Sequence, residues 1–329
     1  MAEVNEKNTF NDNMYDMMCD MSISYMDNIQ ECKAISIKGL CKKYSSFDAL
    51  HNVNFAFPDK GIIGLLGDNG AGKTTLLKII AGFIDINGGE INVFGKNPFN
   101  NLNISNEVVY SYHNYEYPNN LRLDKIIKLY EIGYKNFDKS FADNLLKYFE
   151  LDEKAKYNSL SKGMASVFNF ICAIACRTKI VLLDEPMLGM DVTVRKKMYD
   201  ILVREYMENP RLFIVSGHLI KELESVITDI AIISNGKNII QCEYNDLQQT
   251  VYCVSGDSSK VEEFCRDKKV IKYKKSELSL MAYIYGDITE ELEGTISSAG
   301  IDGHAIGAEE LVICLTDKDL DEKIDKLWE

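Results

Sequence analysis

What the chain lacks narrows its reading first. No apolar stretch approaches the ~18 residues needed to cross a bilayer, so any service to a membrane has to run through a partner. The start of the chain is acidic where a secretory signal would be basic. Nine cysteines are scattered singly from Cys19 to Cys314 with no C-x-x-C pair, which argues against a disulfide framework and fits reduced thiols in a cytosol. Cys172 and Cys176 lie one helical turn apart on an apolar run, with no second His or Cys pair nearby, and read as small buried hydrophobes. A basic excess is missing as well. Lys and Arg number 37 against 50 Asp and Glu, and the net −13 opposes non-specific attraction to nucleic acid or anionic lipid, so no nucleic-acid partner is expected. What remains is an ordinary globular composition, 46% apolar and 26% charged, in 329 residues. That length suffices for one large domain with an ample core and a smaller second one.

The most informative stretch runs from Gly61 to Ile80 and reads GIIGLLGDNGAGKTTLLKII. Ile62 to Leu66 has the length of a strand, and Leu76, Leu77 and Ile80 fall at helical spacing, so the glycines between them sit at a strand-to-helix turn. Gly67, Gly70, Gly72, Lys73 and Thr74 fit G-x-x-x-x-G-K-[ST]. Glycines accept positive φ and carry no Cβ, so a backbone running through Asp68, Asn69, Ala71 and Thr75 can wrap a phosphate with its N–H groups pointing inward. The helix that starts here adds unpaired N–H groups and the positive end of its dipole. Lys73 is then placed to reach the β and γ phosphates, and the Thr74 hydroxyl to hold Mg²⁺. The implied ligand is a nucleoside triphosphate. The plainer alternative, a glycine-rich turn before a surface lysine, would not need a strand and a helix in register on either side.

Residues 1–33 are polar, acidic and rich in Met and Asn, and read as a loosely ordered tail; Met14, Met17, Met18 and Met21 could also share one helical face. Ala34 to Leu40 and Leu50 to Phe57 alternate as strands, with Tyr44 in the turn between them, where its ring could stack on a purine. Strands are also expected over Glu90 to Phe94 and Glu107 to Tyr112, the latter passing into the polar, aromatic segment His113 to Asn120. Leu123, Ile126, Ile127 and Tyr130 mark one amphipathic helix, and Phe141, Leu145, Leu146 and Phe149 another. Leu160-Ser161-Lys162-Gly163-Met164 then opens an apolar helix to about Cys176.

Lys179 to Leu183 is a buried-strand run that delivers Asp184 and Glu185 at its carboxyl end, where ligands of open α/β sheets bind. Asp184 is suited to Mg²⁺, and Glu185 to polarising a water for in-line attack on a γ phosphate, unless the two acids merely begin a turn at Pro186. The pattern repeats from Arg211 to Val215 and ends in Ser216-Gly217-His218, making His218 a third strand-terminal polar group on one sheet edge. A helix from Leu219 to about Val226, strands near Ile230 to Ile233 and Asn238 to Cys242, and a helical stretch Asn245 to Thr250 close this domain. From Val251 short strands (Val251 to Ser255, Leu278 to Tyr285, Glu310 to Leu315) and helices (Ser258 to Arg266, Thr289 to Ser298) suggest a small α+β unit without a catalytic motif, read as a packing or dimerisation module.

In order and spacing, GDNGAGKTT at Gly67, LSKGM at Leu160, VLLDEP at Val181 and SGH at Ser216 closely resemble the ATP-binding cassette (ABC) nucleotide-binding subunits. The resemblance covers residues 34–250. It implies an α/β P-loop nucleoside triphosphatase of the ABC type, with a mixed sheet core, an antiparallel β subdomain and a helical insertion over about 120–176, followed by the small α+β domain at 251–329. It implies ATP and Mg²⁺ as ligands, Tyr44 as the aromatic that stacks on adenine, Asp184 as the Mg²⁺ acid, Glu185 as the catalytic base and His218 as the switch histidine at the γ phosphate. Asp191 matches the aspartate of the loop that crosses between subunits. The family also implies a head-to-tail dimer, here a homodimer, in which ATP on one subunit's Lys73 loop is covered by Ser161, Lys162, Gly163 and Met164 of its mate. Such a pair works on a separate transmembrane permease, peripheral to the cytoplasmic face of the cell membrane.

The chain departs from the family pattern in three places. Lys162 and Met164 replace the first Gly and the final Gln of LSGGQ, in a form similar to the exporter branch often called ABC-2. Ala165-Ser166-Val167-Phe168 stands where basic and glutamine residues commonly follow. His113 takes the place of the glutamine after the strand ending at Tyr112, and with it a candidate contact to Mg²⁺. The C-terminal unit, with Ala308-Glu309-Glu310-Leu311-Val312, is similar to the accessory domain of exporter-type subunits. The expected protein is thus the ATP-hydrolysing subunit of an ABC exporter. Its rivals are a soluble cassette ATPase acting on ribosomes or DNA, disfavoured by the acidic balance and the single cassette, and a regulatory ATP-binding cassette with weak hydrolysis, suggested by His113 and the altered signature.

Overall fold

The computed structural model describes residues 22, 24–26, 29, 33–45, 47–112, 115, 117–118, 120–217, 227–246, 251–275, 279–286, 289–307 and 310. Two compact units emerge, one formed by Met26–Ile227 with Ile233–Asn238, the other by Met1–Tyr25, Thr228–Ile232 and Ile239–Glu329.

In the first unit, β1 (Lys33–Tyr44) and β2 (Phe47–Pro58) form an antiparallel hairpin in which Ile35 faces Phe57, Ile37 faces Phe55 and Tyr44 faces Phe47. The four apolar side chains nearest the open end are buried. β3 (Gly61–Leu66) leads through the glycine loop into α1 (Lys73–Ile80), and β4 (Gly88–Val93) completes a three-stranded antiparallel sheet in the order β2-β1-β4. The short α2 (Leu102–Ser105) precedes β5 (Val108–Tyr112). Then come α3 (Leu123–Gly133), α4 (Lys139–Tyr148), a 3-10 turn at Tyr157–Ser159 and α5 (Lys162–Ala175). β6 (Ile180–Asp184), α6 (Val192–Glu208) and β7 (Leu212–Gly217) follow.

β8 (Asp229–Ser234) and β9 (Lys237–Glu243) follow β7 in the chain, and the parallel strands β5, β6, β7 and β3 run in that order across one sheet. They read as unbroken apolar runs because both faces of a parallel sheet are covered. Their register sets the site: Tyr112 stands opposite Asp184, Asp184 opposite Ser216, and Leu66 opposite Gly217, so everything beyond these residues emerges at one edge.

The apolar helix α5 is buried without a break from Ser166 to Ala175, Cys172 included, as its all-round hydrophobicity requires. Burying a ring such as Phe168 or Phe170 is worth about 1.5–3 kcal/mol. No expected element corresponds to α6, whose buried set is only Met198, Tyr199, Leu202 and Glu205. Glu205 is tolerated there because Arg211 Nη1 donates to its Oε1 at 2.6 Å and Arg177 donates to the same oxygen. Arg177 Nη2 also donates to Asp138 Oδ2 at 3.0 Å, and Asp138 caps α4 by accepting from Phe141 N at 2.9 Å, so one ionic relay fastens the helical insertion to α6 and the foot of β7.

The second unit holds β10 (Val251–Gly256), α7 (Ser258–Cys265), β11 (Lys269–Lys275), β12 (Leu280–Tyr285), α8 (Glu290–Ala299) and β13 (Asp302–Ala305). The strands make an antiparallel sheet in the order β11-β12-β10-β13, and Val261, Cys265 and Ile296 of the helices pack on Tyr252, Val254, Ala282 and Ile284. Neither β11 nor β13 was expected. β11 is an edge strand whose lysines mask its alternation and discourage further pairing, and β13 is four exposed residues. The strand expected from Glu310 to Leu315 begins on a residue that is helical, and 311–315 lie outside the described residues. Within the stretch read as a tail, Tyr25 is buried and Ser22 Oγ accepts from Gln241 N at 2.9 Å. Met14, Met17, Met18, Met21 and the helix expected from Leu219 to Val226 fall outside the described residues.

Candidate nucleotide site

The loop between β3 and α1 is built from conformations that side chains resist. Gly67 has φ 146°, and a Cβ there would stand 2.0 Å from the Ile233 carbonyl oxygen; Gly72 has φ 109°, with Leu50 Cδ2 2.7 Å and Ala49 O 2.8 Å away. Gly70 (φ 82°) would meet nothing within 4 Å, so the loop presses its ends against the protein and opens its middle outward. Ala71 N donates to Asp68 O at 3.1 Å to close the turn, and Gly236 N donates to Ala71 O at 3.0 Å. Gly72 caps α1 without a side-chain acceptor, and no acid lies in the first turn, which leaves the positive helix end for an incoming anion.

Lys73 is buried. Its ammonium donates to Gly67 O at 2.5 Å and Asp68 O at 3.0 Å, which holds it over the loop. Burial lowers its pKa, and the carboxylates of Glu185, Asp184 and Asp68 act in the opposite sense. A pocket of about 160 Å³ opens above, lined by Phe47, Ala49, Asp68, Asn69, Gly70, Ala71, Gly72, Lys73, Thr74, Thr75 and Glu185. Lysine, hydroxyls and backbone donors in that ring fit a polyphosphate.

The acids arrive at the carboxyl end of β6. Asp184 is buried beneath the pocket lining rather than in it, with Oδ1 accepting from Ser216 Oγ at 2.7 Å and Oδ2 from the Tyr110 hydroxyl at 2.8 Å. Ser216 Oγ in turn accepts from Glu185 N at 3.0 Å, tying the backbone of Glu185 to β7. Glu185 adopts φ 48°, a left-handed conformation that redirects the chain so that its side chain lines the pocket. Burial and Asp184 drive the Tyr110 phenol far above its ordinary pKa, which keeps it a donor. The hard oxygens of Thr74 and Asp184 are the donor chemistry Mg²⁺ prefers. From Tyr110 a run of ring contacts continues through Tyr112, Tyr115 and Tyr117 to Tyr157 in the helical insertion, stacked at Tyr110–Tyr112 and Tyr115–Tyr117, tilted at Tyr112–Tyr115 and edge-to-face at Tyr117–Tyr157, with centroids 4.6 to 5.6 Å apart.

Tyr44 and Phe47 part company here. Tyr44 ends β1, 43% exposed with Lys42 Nζ 5.3 Å from its ring centre, and does not line the pocket; its cross-strand neighbour Phe47, 58% exposed, does. The signature residues do not line the pocket of their own chain. Ser161 Oγ accepts from Met164 N at 3.2 Å and caps α5, Lys162 and Met164 are exposed, and a Cβ on Gly163 would stand 3.6 Å from Gly189 O. Asp191 caps α6 by accepting from Val194 N at 2.9 Å. Met164, Leu188 and Val192 therefore expose apolar surface around one corner. His113 and His218 lie outside the described residues. Sequence reasoning passed over Phe47, Tyr110 and the Ser216 hydroxyl; only the period-2 pairing of Tyr110 with Tyr112 on one strand face hinted at a shared task.

A parallel sheet that brings a glycine loop and paired acids to one edge defines a P-loop nucleoside triphosphatase. Residues 50–188 match the family described as ABC transporter, and the chain carries an ATP-binding domain of that family. It is 24% identical over 215 residues to the ABC transporter ATP-binding protein YtrB of Bacillus subtilis (strain 168), spanning 65% of this chain and 74% of that protein. It is 28% identical over 225 residues to the bacitracin transport ATP-binding protein BcrA of Bacillus licheniformis, spanning 65% and 71%. A solved ATP-binding subunit of an ABC transporter aligns with a TM-score of 0.58 at 22% identity, over 65% of this chain and 92% of its own, and bears out the expected fold. The chain is the ATP-binding subunit of a transport system, and domains of this kind bind ATP and are ATPases coupled to transport. ABC ATP-binding subunits dimerise and work with transmembrane permeases. Among the described residues no helix is long and apolar enough to cross a membrane.

Proposed function

We propose that this chain hydrolyses Mg²⁺-bound ATP to drive an exporter, as a head-to-tail homodimer docked on a separate permease at the cytoplasmic face of the membrane. The observation that carries the reading is the position of Glu185, at the carboxyl end of a buried strand and in the lining of the same pocket as Lys73 and Thr74. There its carboxylate polarises a water against the γ phosphate, while Lys73 and the N–H groups of Gly67 to Thr75 stabilise the charge that develops on the phosphate oxygens. Thr74 and Asp184 would hold Mg²⁺, which would supply Lewis-acid stabilisation of phosphate charge. Ser161, Lys162, Gly163, Met164 and Asp191 act on the partner's nucleotide; none of them lines the pocket of its own chain, and the exposed Met164, Leu188 and Val192 beside them suit a face that a second copy covers. His218 and His113 keep their roles as γ-phosphate and Mg²⁺ contacts. The export direction rests on the Lys162 and Met164 form of the signature and on the α+β unit.

The test is Glu185→Gln, which keeps size and removes the base. Turnover of MgATP should fall at least a hundredfold, with ATP affinity retained and the dimer accumulating on MgATP in gel filtration. Turnover unchanged in the variant removes Glu185 from the chemistry, and a regulatory cassette would instead show negligible turnover in both proteins.

A further inference from the structure

The sheet of the C-terminal unit has two faces, and α7 and α8 cover only one. Tyr252 and Val254 on β10 belong to the core under those helices, so Cys253, between them, points to the other face. In register beside Cys253 stand Tyr283 on β12 and His304 on β13. Glu310, beyond the end of β13, reaches back over this row: its Oε1 accepts from the Tyr283 hydroxyl at 3.3 Å, and its Oε2 lies 3.4 Å from His304 Nε2. The thiol sulfur, an imidazole nitrogen and a carboxylate oxygen all fall within 4.8 Å of one another.

We propose that Cys253, His304 and Glu310 form a Zn²⁺ site in the C-terminal unit. The donor set is the first argument. Thiolate, imidazole and carboxylate together are what Zn²⁺ selects, whereas Mg²⁺ takes oxygen alone, so this site is chemically distinct from the nucleotide pocket. Geometry is the second. Two N and O ligands of one tetrahedral zinc stand about 3.3 Å apart, close to the His304 to Glu310 separation, which is long for a hydrogen bond. Placement is the third. The Cys253 side chain is fully buried, while that of His304 is 52% exposed, so one ligand is anchored and another can swing about an ångström to close the shell as the ion enters from solvent.

Tyr283 supplies the outer layer by orienting the Glu310 carboxylate. One thiolate and one carboxylate balance the double charge of the ion, and the fourth position is left for water. Burial and Glu310 push the Cys253 thiol up to about 12, so the ion displaces a proton when it binds. Occupancy clips β10 and β13 to the segment that carries Glu310.

The full chain, stripped of metal and kept under a non-thiol reductant, is titrated with Co²⁺. One equivalent should produce a thiolate-to-cobalt charge-transfer band in the near ultraviolet that Zn²⁺ then bleaches; Co²⁺ at the oxygen-lined nucleotide site gives no such band. Cys253→Ser should abolish it, and His304→Ala, on the exposed side and safe for folding, should weaken Co²⁺ binding at least tenfold. The proposal is overturned if no band forms at excess Co²⁺, or if the band survives both substitutions, since another of the cysteines would then be the ligand.

Discussion

Replacing Ser216 with alanine tests the way β7 steadies the acids of β6. One hydroxyl makes two contacts, donating to the buried Asp184 and accepting from the backbone N–H of Glu185. A hydrogen bond to a charged group contributes about 1.5–3 kcal/mol, and the partly buried Glu185 amide stripped of its acceptor costs about 1 kcal/mol more. Allowing for relaxation, Ser216→Ala should lose about 3 kcal/mol, roughly a hundredfold in the unfolding equilibrium of that unit, read by urea denaturation with far-ultraviolet circular dichroism. Catalysis should suffer separately. Freed from its tether, Glu185 keeps its left-handed turn but loses its fixed position, and a displacement near 1 Å costs about 10²-fold in rate. The phosphate loop makes none of its internal bonds through Ser216, so ATP affinity should stay within about twofold while kcat falls about ten- to a hundredfold. Stability within about 0.5 kcal/mol of the parent, or an ATP Kd that worsens in step with kcat, would refute the tether.

Two further outcomes follow from side-chain placement. Phe47→Ala should weaken ATP about tenfold, a stacking interaction's worth, while Tyr44→Ala leaves it within about twofold; fluorescent-nucleotide titration that ranks them the other way returns Tyr44 to the base. Asp138→Asn keeps the cap on α4 and removes the charge facing Arg177. Burial works to raise the Asp138 pKa, but the Phe141 N–H and the Arg177 guanidinium outweigh it and hold it below the usual carboxylate value. Its stabilisation is therefore complete above the ordinary carboxylate pKa of about 3.9 and fades as pH falls through the depressed one. With the Asp138 side chain 38% exposed and screened, the deficit of the variant at neutral pH should be about 0.5–1 kcal/mol and should vanish in strong acid. A deficit that persists unchanged there would deny the ion pair its part.

The sequence by itself determined the phosphate loop, the apolar strand that ends in Asp184 and Glu185, and the buried helix after Ser161. Each is a local pattern in which neighbours along the chain carry the physics: glycine where φ is positive, unbroken apolar runs where a parallel sheet is covered on both sides, helical spacing beyond. Only the tertiary structure decided what holds those residues. Tyr110 and Ser216 meet Asp184 across 74 and 32 positions because three parallel strands align their ends, and no window of sequence contains that register. The same is true of Phe47, which reaches the pocket in place of Tyr44 through the way a hairpin is laid against the loop. It is true again of Cys253, His304 and Glu310, which share no local pattern and meet because an antiparallel pairing sets thiol beside imidazole, with the Glu310 carboxylate within reach of both. Side-chain chemistry is written in the chain, but its neighbours across a sheet are chosen by strand order and register, which form only when the whole core closes.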